Sequence, residues 1–244
     1  MFYSCSSLVN LKPSEKWNIP SGKNFENMFA YCSSLKQIKD LENWKISNGN
    51  NFAGMFFRCS SLLDIKGLEK WDVSKGVYFT GMFAYCSLLS EIESLENWDV
   101  SNGEYFGGMF LDCKLLSNIK PLRNWDVSKT KSFNGMFSGL SSLKDINPLQ
   151  NWDVSNCNNF KEMFYKCQSL SNLKPLENWN VSKGNNFEEM FSGLSSLTDI
   201  KPLENWSISN DSNTNWIFRG CSLLKDITPL EKWNLSEYKL SKIK

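Results

Sequence analysis

Residues 79–101 read FTGMFAYCSLLSEIESLENWDVS, and the same pattern returns along the chain with a fixed step of 27. Trp stands at positions 17, 44, 71, 98, 125, 152, 179, 206 and 233. Met-Phe keeps the same clock from Met1-Phe2 through Met28-Phe29 and Met55-Phe56 to Met190-Phe191, and the ninth copy carries Ile217-Phe218. No insertion or deletion interrupts the series. Such a period is the signature of stacked supersecondary units, each unable to bury its own apolar face alone. The organisation expected is one repeat domain over 1–244, with copies 1–27, 28–54, 55–81, 82–108, 109–135, 136–162, 163–189, 190–216 and 217–243. The last copy reads as a degenerate, charged cap: Thr214 fills its Phe slot, Ile217 its Met slot, Trp216 is an added aromatic, and Lys239, Lys242 and Lys244 follow. The first copy starts mid-unit, which predicts an uncapped N-terminal face open to self-association.

Within a copy, Phe25, Met28, Phe29 and Cys32 are spaced as one face of a short helix. Leu35, Ile38 and Leu41 then recur every three residues, a spacing that suits extended chain. Pro121, Pro148, Pro175, Pro202 and Pro229 stand four residues before the Trp, which predicts an extended approach. Trp71-x-Val73 alternates as a short strand does. Gly22, Gly49, Gly76, Gly103 and Gly184 mark the turn to the next unit. The fold class expected is α/β: a solenoid with a parallel strand at W-x-V and a short helix at F-x-x-M-F-x-x-C in every copy.

Composition narrows the function. The net charge is +1, against the basic excess of a nucleic-acid binder. Hydrophobic residues make up 41% and charged residues 22%, enough to build a core. No apolar run approaches the length of a membrane span, and no secretory signal is legible. His is absent, which removes the commonest general base and metal ligand. No nucleophile–base pair, phosphate loop or metal set stands out. The expectation is a non-enzyme with no catalytic residue, cofactor or metal.

Seven of the eight cysteines share one slot: Cys5, Cys32, Cys59, Cys86, Cys113, Cys167 and Cys221. Leu140 and Leu194 fill it in the other copies, so the slot is an apolar core position holding reduced thiols. Cys157 instead replaces the turn Gly and is expected to be exposed.

The string C-S-S-L-x-x-I-x-x-L-E-N-W-D-V-S-N, with M-F ahead of the Cys, resembles the BspA-like leucine-rich repeats of bacterial-type surface proteins, which also occur in protists and large DNA viruses. The matching stretches include Met28-Phe29 through Ser47, Met82-Phe83 through Ser101 and Met136-Phe137 through Ser155, and the resemblance covers all nine copies. It implies a right-handed leucine-rich-repeat solenoid with an adhesion or host-interaction role on a cell or particle surface. The chain departs from the family in its turn, where Gly49, Gly76 and Gly103 replace a common Val.

Two surfaces are candidates for binding another protein. Asp72, Asp99, Asp126 and Asp153 follow the Trp in four consecutive copies and would form an acidic stripe. Neighbouring carboxylates about 5 Å apart repel by roughly 0.8 kcal/mol even in water, so the stripe either meets a basic partner or serves local turn bonding, with Lys75, Lys129 and Lys183 offsetting its charge. Tyr31, Phe57, Tyr85 and Tyr165 follow Met-Phe off the main apolar face, where aromatics either anchor a partner or pack between copies. The leading expectation is a protein-recognition solenoid; the alternative is a self-associating structural component of a cell surface or virus particle.

Overall fold

The structure is a computed structural model that describes residues 2–12, 22–233 and 235–243. Met1, Trp17, Asn18 and Asn234, which the repeat also places, and Lys244 of the charged end lie outside the described residues. The copies stack into a solenoid. Parallel bridges join equivalent residues of successive copies: Asn24 to Asn51, Asn51 to Tyr78, and on by steps of one copy to Asn186 and Asn213.

The backbone donors around Phe25–Cys32 explain the stack. Phe25, Asn27, Phe29 and Tyr31 donate N–H to the carbonyls of Asn51, Ala53, Met55 and Phe57 in the next copy, at 2.7–2.9 Å. The alternating Met28, Ala30 and Cys32 donate back to Phe25, Asn27 and Phe29, at 3.1–3.2 Å. Half of the donors therefore join copies and half close tight turns, a full use of buried backbone groups. The expected helix is absent: this segment is a run of turns in each copy. An α-helix would turn every interior N–H onto its own chain and leave none for the neighbour. Residues in the left-handed region also break it twice per copy, as at Asn27 (φ 53°) and Tyr31 (φ 64°). The i, i+3, i+4, i+7 spacing survives because consecutive three-residue turns bring the same side chains to one face.

The W-x-V segment is not a strand either. Each described Trp of this slot, from Trp44 to Trp233, is buried, but the backbone N–H of Trp44 through Trp206 closes onto the Leu three residues back, as Trp71 does onto Leu68 at 3.1 Å. Copies are tied here by side chains: the Trp71 indole N–H donates to the Leu41 carbonyl at 3.0 Å, and the pattern repeats through Trp233 to Leu203 at 2.8 Å. Indoles such as Trp71 and Trp98 lie 6.4 Å apart, wider than the roughly 4.8 Å between paired strands. The proline segments, expected to be extended, form 3-10 turns at Lys120–Leu122, Asn147–Leu149, Lys174–Leu176 and Lys201–Leu203. Proline sits in the first turn of each, where its missing N–H would have no helical acceptor.

Two phenylalanine ladders fill the core. One runs Phe2, Phe29, Phe56, Phe83, Phe110 with centroids 5.4–5.9 Å apart and planes within 10°. The other runs Phe25, Phe52, Phe79, Phe106 at 5.1–5.5 Å. Burial of one such ring stabilises by about 1.5–3 kcal/mol, as does burial of each Leu, Ile, Val and Met packed beside the ladders.

The shared-slot cysteines are buried, except half-buried Cys5, and each sulfur from Cys32 onward meets a Phe carbonyl of the preceding copy, as Cys59 meets Phe29 at 3.2 Å. Cys157 corrects the sequence reading: it is buried, with its sulfur 3.5 Å from the carbonyls of Lys131 and Asn159. The turn Gly slot points beneath a Phe ring, so a Cβ added at Gly103 would stand 2.3 Å from the Phe106 ring tip. Where Thr130 and Cys157 place side chains in that slot, Phe133 turns 24° and 34° away from its two neighbours.

At the far end, α1 (Glu237–Leu240) is capped by the Ser236 hydroxyl. Beyond it, the carbonyls of Lys242 and Ile243 accept the N–H groups of Trp216 and Phe218, and Ile243 is fully buried. This segment covers the ninth copy with the rung-to-rung bonds used elsewhere. No helix among the described residues is long and apolar enough to cross a membrane.

Candidate functional site: an aromatic ridge around Arg58

The residue three after Met holds the left-handed conformation from copy to copy: Ser4, Tyr31, Arg58, Tyr85, Asp112, Gly139, Lys166, Gly193 and Gly220 all have φ between 56° and 78°. Glycine suits this position, and a bulky side chain there is a costly choice. The residue before it alternates in size, giving the pairs Ala30-Tyr31, Phe57-Arg58 and Ala84-Tyr85. The alternation lets one aromatic per copy lie on a single line.

The structure brings Tyr31, Phe57 and Tyr85 together and adds Tyr3. Their rings meet edge to face: Tyr3–Tyr31 at 5.2 Å, Tyr31–Phe57 at 5.3 Å and Phe57–Tyr85 at 5.4 Å. The Arg58 guanidinium lies 4.6 Å from the Tyr85 centroid, 5.6 Å from Phe57 and 5.9 Å from Tyr31. Tyr3 is 56% and Tyr31 37% exposed, and Arg58 is exposed. Beside the ridge, Ser33 and Ser60 help line a shallow groove. Tyr165 is not part of this ridge; it stands apart, beneath the Lys166 ammonium at 4.8 Å. Tyr3 and Arg58 went unread in the sequence, although the alternation of the two slots after Met-Phe marks both.

The aspartates are exposed as expected, but each also has a local task. The Asp72 carboxylate accepts the Ser74 N–H and hydroxyl at 3.1 and 2.6 Å, and Asp99, Asp126 and Asp153 accept the N–H of Ser101, Ser128 and Ser155 at 3.0 Å. Asn180 makes the same bond to Ser182 at 3.2 Å, so the turn needs an acceptor and not a charge. Bonds from Ser101 and Ser155 hold the Asp99 and Asp153 carboxyls below the usual range, helped by Lys129 and Lys183. Lys75, Lys129 and Lys183 reach Asn48, Asn102 and Asn156 one copy back, at 2.6–2.7 Å. The stripe is thus a mixed ladder of acceptors and cations.

No group of three or more His, Cys, Asp or Glu side chains that could hold a metal ion occurs among the described residues. Burial pushes the Cys32 thiol up to about 11 and the Cys157 thiol up to about 12. Such thiols are poor nucleophiles at neutral pH.

Among solved structures, the chain is similar to a leucine-rich repeat protein from Bacteroides ovatus, with 19% identity over 92% of this chain and a TM-score of 0.46. The chain spans 56% of that protein's length. It is also similar to a leucine rich cell surface protein from Faecalibacterium prausnitzii, with 16% identity, 99% of this chain and 77% of the other covered, and a TM-score of 0.35. No curated protein matches the sequence significantly. The family described as "Mycoplasma protein of unknown function, DUF285" matches residues 1–87, 37–147, 61–173 and 142–242, overlapping along the whole repeat series, and the chain belongs to that family.

Proposed function

We propose that the chain is a non-catalytic recognition solenoid that holds a protein partner on the ridge formed by Tyr3, Tyr31, Phe57, Tyr85 and Arg58. The observation carrying this reading is the placement of tyrosine at left-handed positions 31 and 85, where Gly139, Gly193 and Gly220 serve the fold in other copies. Glycine would relieve the backbone strain there, so the left-handed turn itself does not require tyrosine. Rigid aromatics around an arginine are the residue types that dominate interface energetics. The Asp72, Asp99, Asp126 and Asp153 row belongs to the same proposal only as a flanking polar surface, since its carboxylates already cap turns. The BspA-like resemblance supports a right-handed leucine-rich-repeat coil and an adhesin-like setting on a cell or particle surface.

The test is capture. Immobilised wild-type protein and the Tyr31→Gly/Tyr85→Gly double variant are compared against the same surface-protein extract by quantitative mass spectrometry. The proposal expects partners enriched by the wild type and lost by a variant that keeps its fold by circular dichroism. Identical captured sets would overturn it.

A further inference from the structure

We propose a second site: the groove between the 3-10 turns Lys120–Leu122 and Asn147–Leu149 binds the carboxylate of a sugar acid at the end of a glycan. This groove recurs along the stack, so its neighbours serve as internal controls. Two copies earlier, it is lined by Asp64, Glu69, Glu91 and Glu93 against Lys66 alone. Three copies later, Asp199, Glu204, Asp226 and Glu231 face Lys201 and Lys232. In the central groove the charge reverses: Lys120 and Arg123 face Asp145 only, and amides replace the other carboxylates at Asn147 and Gln150.

In the two acidic grooves Lys66 and Lys232 are neutralised by carboxylates of the groove, whereas Lys201 is in no ion pair among the described residues. Lys66 bridges Asp64 and Glu91 at 3.4 and 3.3 Å, and Lys232 meets Glu204 at 3.0 Å. Lys174 and Glu177 form an ion pair at 2.6 Å with the i, i+3 spacing that Lys120 and Arg123 share. At 120 and 123 that spacing joins two cations, and among the described residues neither lies within ion-pair distance of a carboxylate. Both are exposed. Asp145 has its own task, accepting the Asn147 N–H at 2.8 Å.

Two adjacent free cations fit one carboxylate, with the arginine able to hold it through two parallel hydrogen bonds. Around them stand Asn147, Gln150 and Asn151, while Asn118 is already engaged, accepting the Lys120 N–H at 3.0 Å and donating to Glu93 at 3.4 Å. An amide both donates and accepts, as a sugar hydroxyl does. The open groove has a volume of ≈ 400 Å³, close to the ≈ 430 and ≈ 370 Å³ of the two acidic grooves, so its charge and not its size sets it apart. The acidic grooves two copies earlier and three copies later repel an extended polyanion running along the stack, so the ligand carries one anionic group and otherwise neutral hydroxyls.

The test uses saturation-transfer NMR on the whole chain with methyl glucuronide, and with methyl glucoside as the neutral isostere. The variant is Arg123→Glu, which installs the residue found at Glu42, Glu69, Glu96, Glu177, Glu204 and Glu231 and so suits the fold. The expected result is glucuronide binding in the millimolar range, no comparable glucoside signal, and weakening by about tenfold or more in the variant, the factor for one charge-assisted hydrogen bond. Equal binding of the two sugars, undiminished binding by the variant, or no binding would each overturn the site. Acetyl-glutamate amide binding as tightly as glucuronide would overturn the sugar assignment and indicate an acidic peptide. Because these residues lie outside the aromatic ridge, failure here leaves the protein-recognition proposal standing.

Discussion

Replacing Tyr85 separates what the ridge does for the fold from what it does for a partner. Tyr85 has φ 61°, where an L side chain costs roughly 1–2 kcal/mol relative to glycine. Its ring returns about 0.5–1.5 kcal/mol through the edge-to-face contact with Phe57 at 5.4 Å. The Arg58 guanidinium at 4.6 Å adds about 0.5–1 kcal/mol at an exposed site. Tyr85→Ala loses both contacts and keeps the strain, so it should destabilise by about 1–2 kcal/mol. Tyr85→Gly loses the same contacts but relieves the strain, against a glycine entropy cost of about 0.5–1 kcal/mol. The glycine variant should therefore be about 1 kcal/mol more stable than the alanine variant, the reverse of their usual order. Urea denaturation followed by tryptophan fluorescence measures the difference. Alanine equal to or better than glycine would mean that position 85 carries no left-handed strain, and the main support for the ridge would go with it.

Trp125→Ala should cost about 3–5 kcal/mol, as buried aromatics do; Trp125 is only 4% exposed and its indole N–H donates to Leu95 at 3.1 Å. The Leu95 carbonyl keeps the Trp98 backbone N–H at 3.1 Å, which argues against a still larger loss, and denaturation showing under about 1 kcal/mol would contradict the peg. Maleimide labelling of the native protein, read by mass spectrometry, should modify half-buried Cys5 first and leave Cys59, Cys86, Cys113, Cys157 and Cys167 untouched until unfolding; rapid reaction at Cys157 would restore an exposed turn. Asp99 and Asp153 have depressed folded values, so their contribution is complete above the unfolded pKa of about 3.9 and is lost as pH falls through the folded values. Replacing both with Asn keeps the turn acceptor, as Asn180 does, and should leave melting at neutral pH unchanged while making the acid decline shallower; an equally steep decline would place the acid sensitivity elsewhere.

The stacking of copies, the buried cysteine slot and the inward Trp follow directly from the period, because a slot that holds apolar residues copy after copy has to face the core. Local conformation was less legible. Four apolar residues at i, i+3, i+4 and i+7 describe a helix and a chain of tight turns equally well, and only Asn27 and the glycines that share its slot, such as Gly54 and Gly81, hint at the left-handed positions that decide between them. The Pro segments misled for a similar reason, since a fixed φ suits the first residue of a 3-10 turn as well as extended chain. Cys157 misled because the turn Gly suggested solvent, whereas it marks the lack of room under a Phe ring. The aromatic ridge was half visible: Tyr31, Phe57 and Tyr85 stood out by type, but Arg58 is read only once alternating slots are laid side by side.

The alternating use of backbone donors makes growth of this molecule quantised. Each copy presents Phe, x, Phe and x donors to acceptors one copy on, so a single inserted residue in that segment would hand every following donor to a turn and every turn to the neighbour. A whole copy can be added or removed without disturbing any other, because the new edge matches the old one. Length variation among proteins of this construction should therefore come in multiples of 27 residues, with new binding surfaces arising from the order in which nearly identical rungs are shuffled.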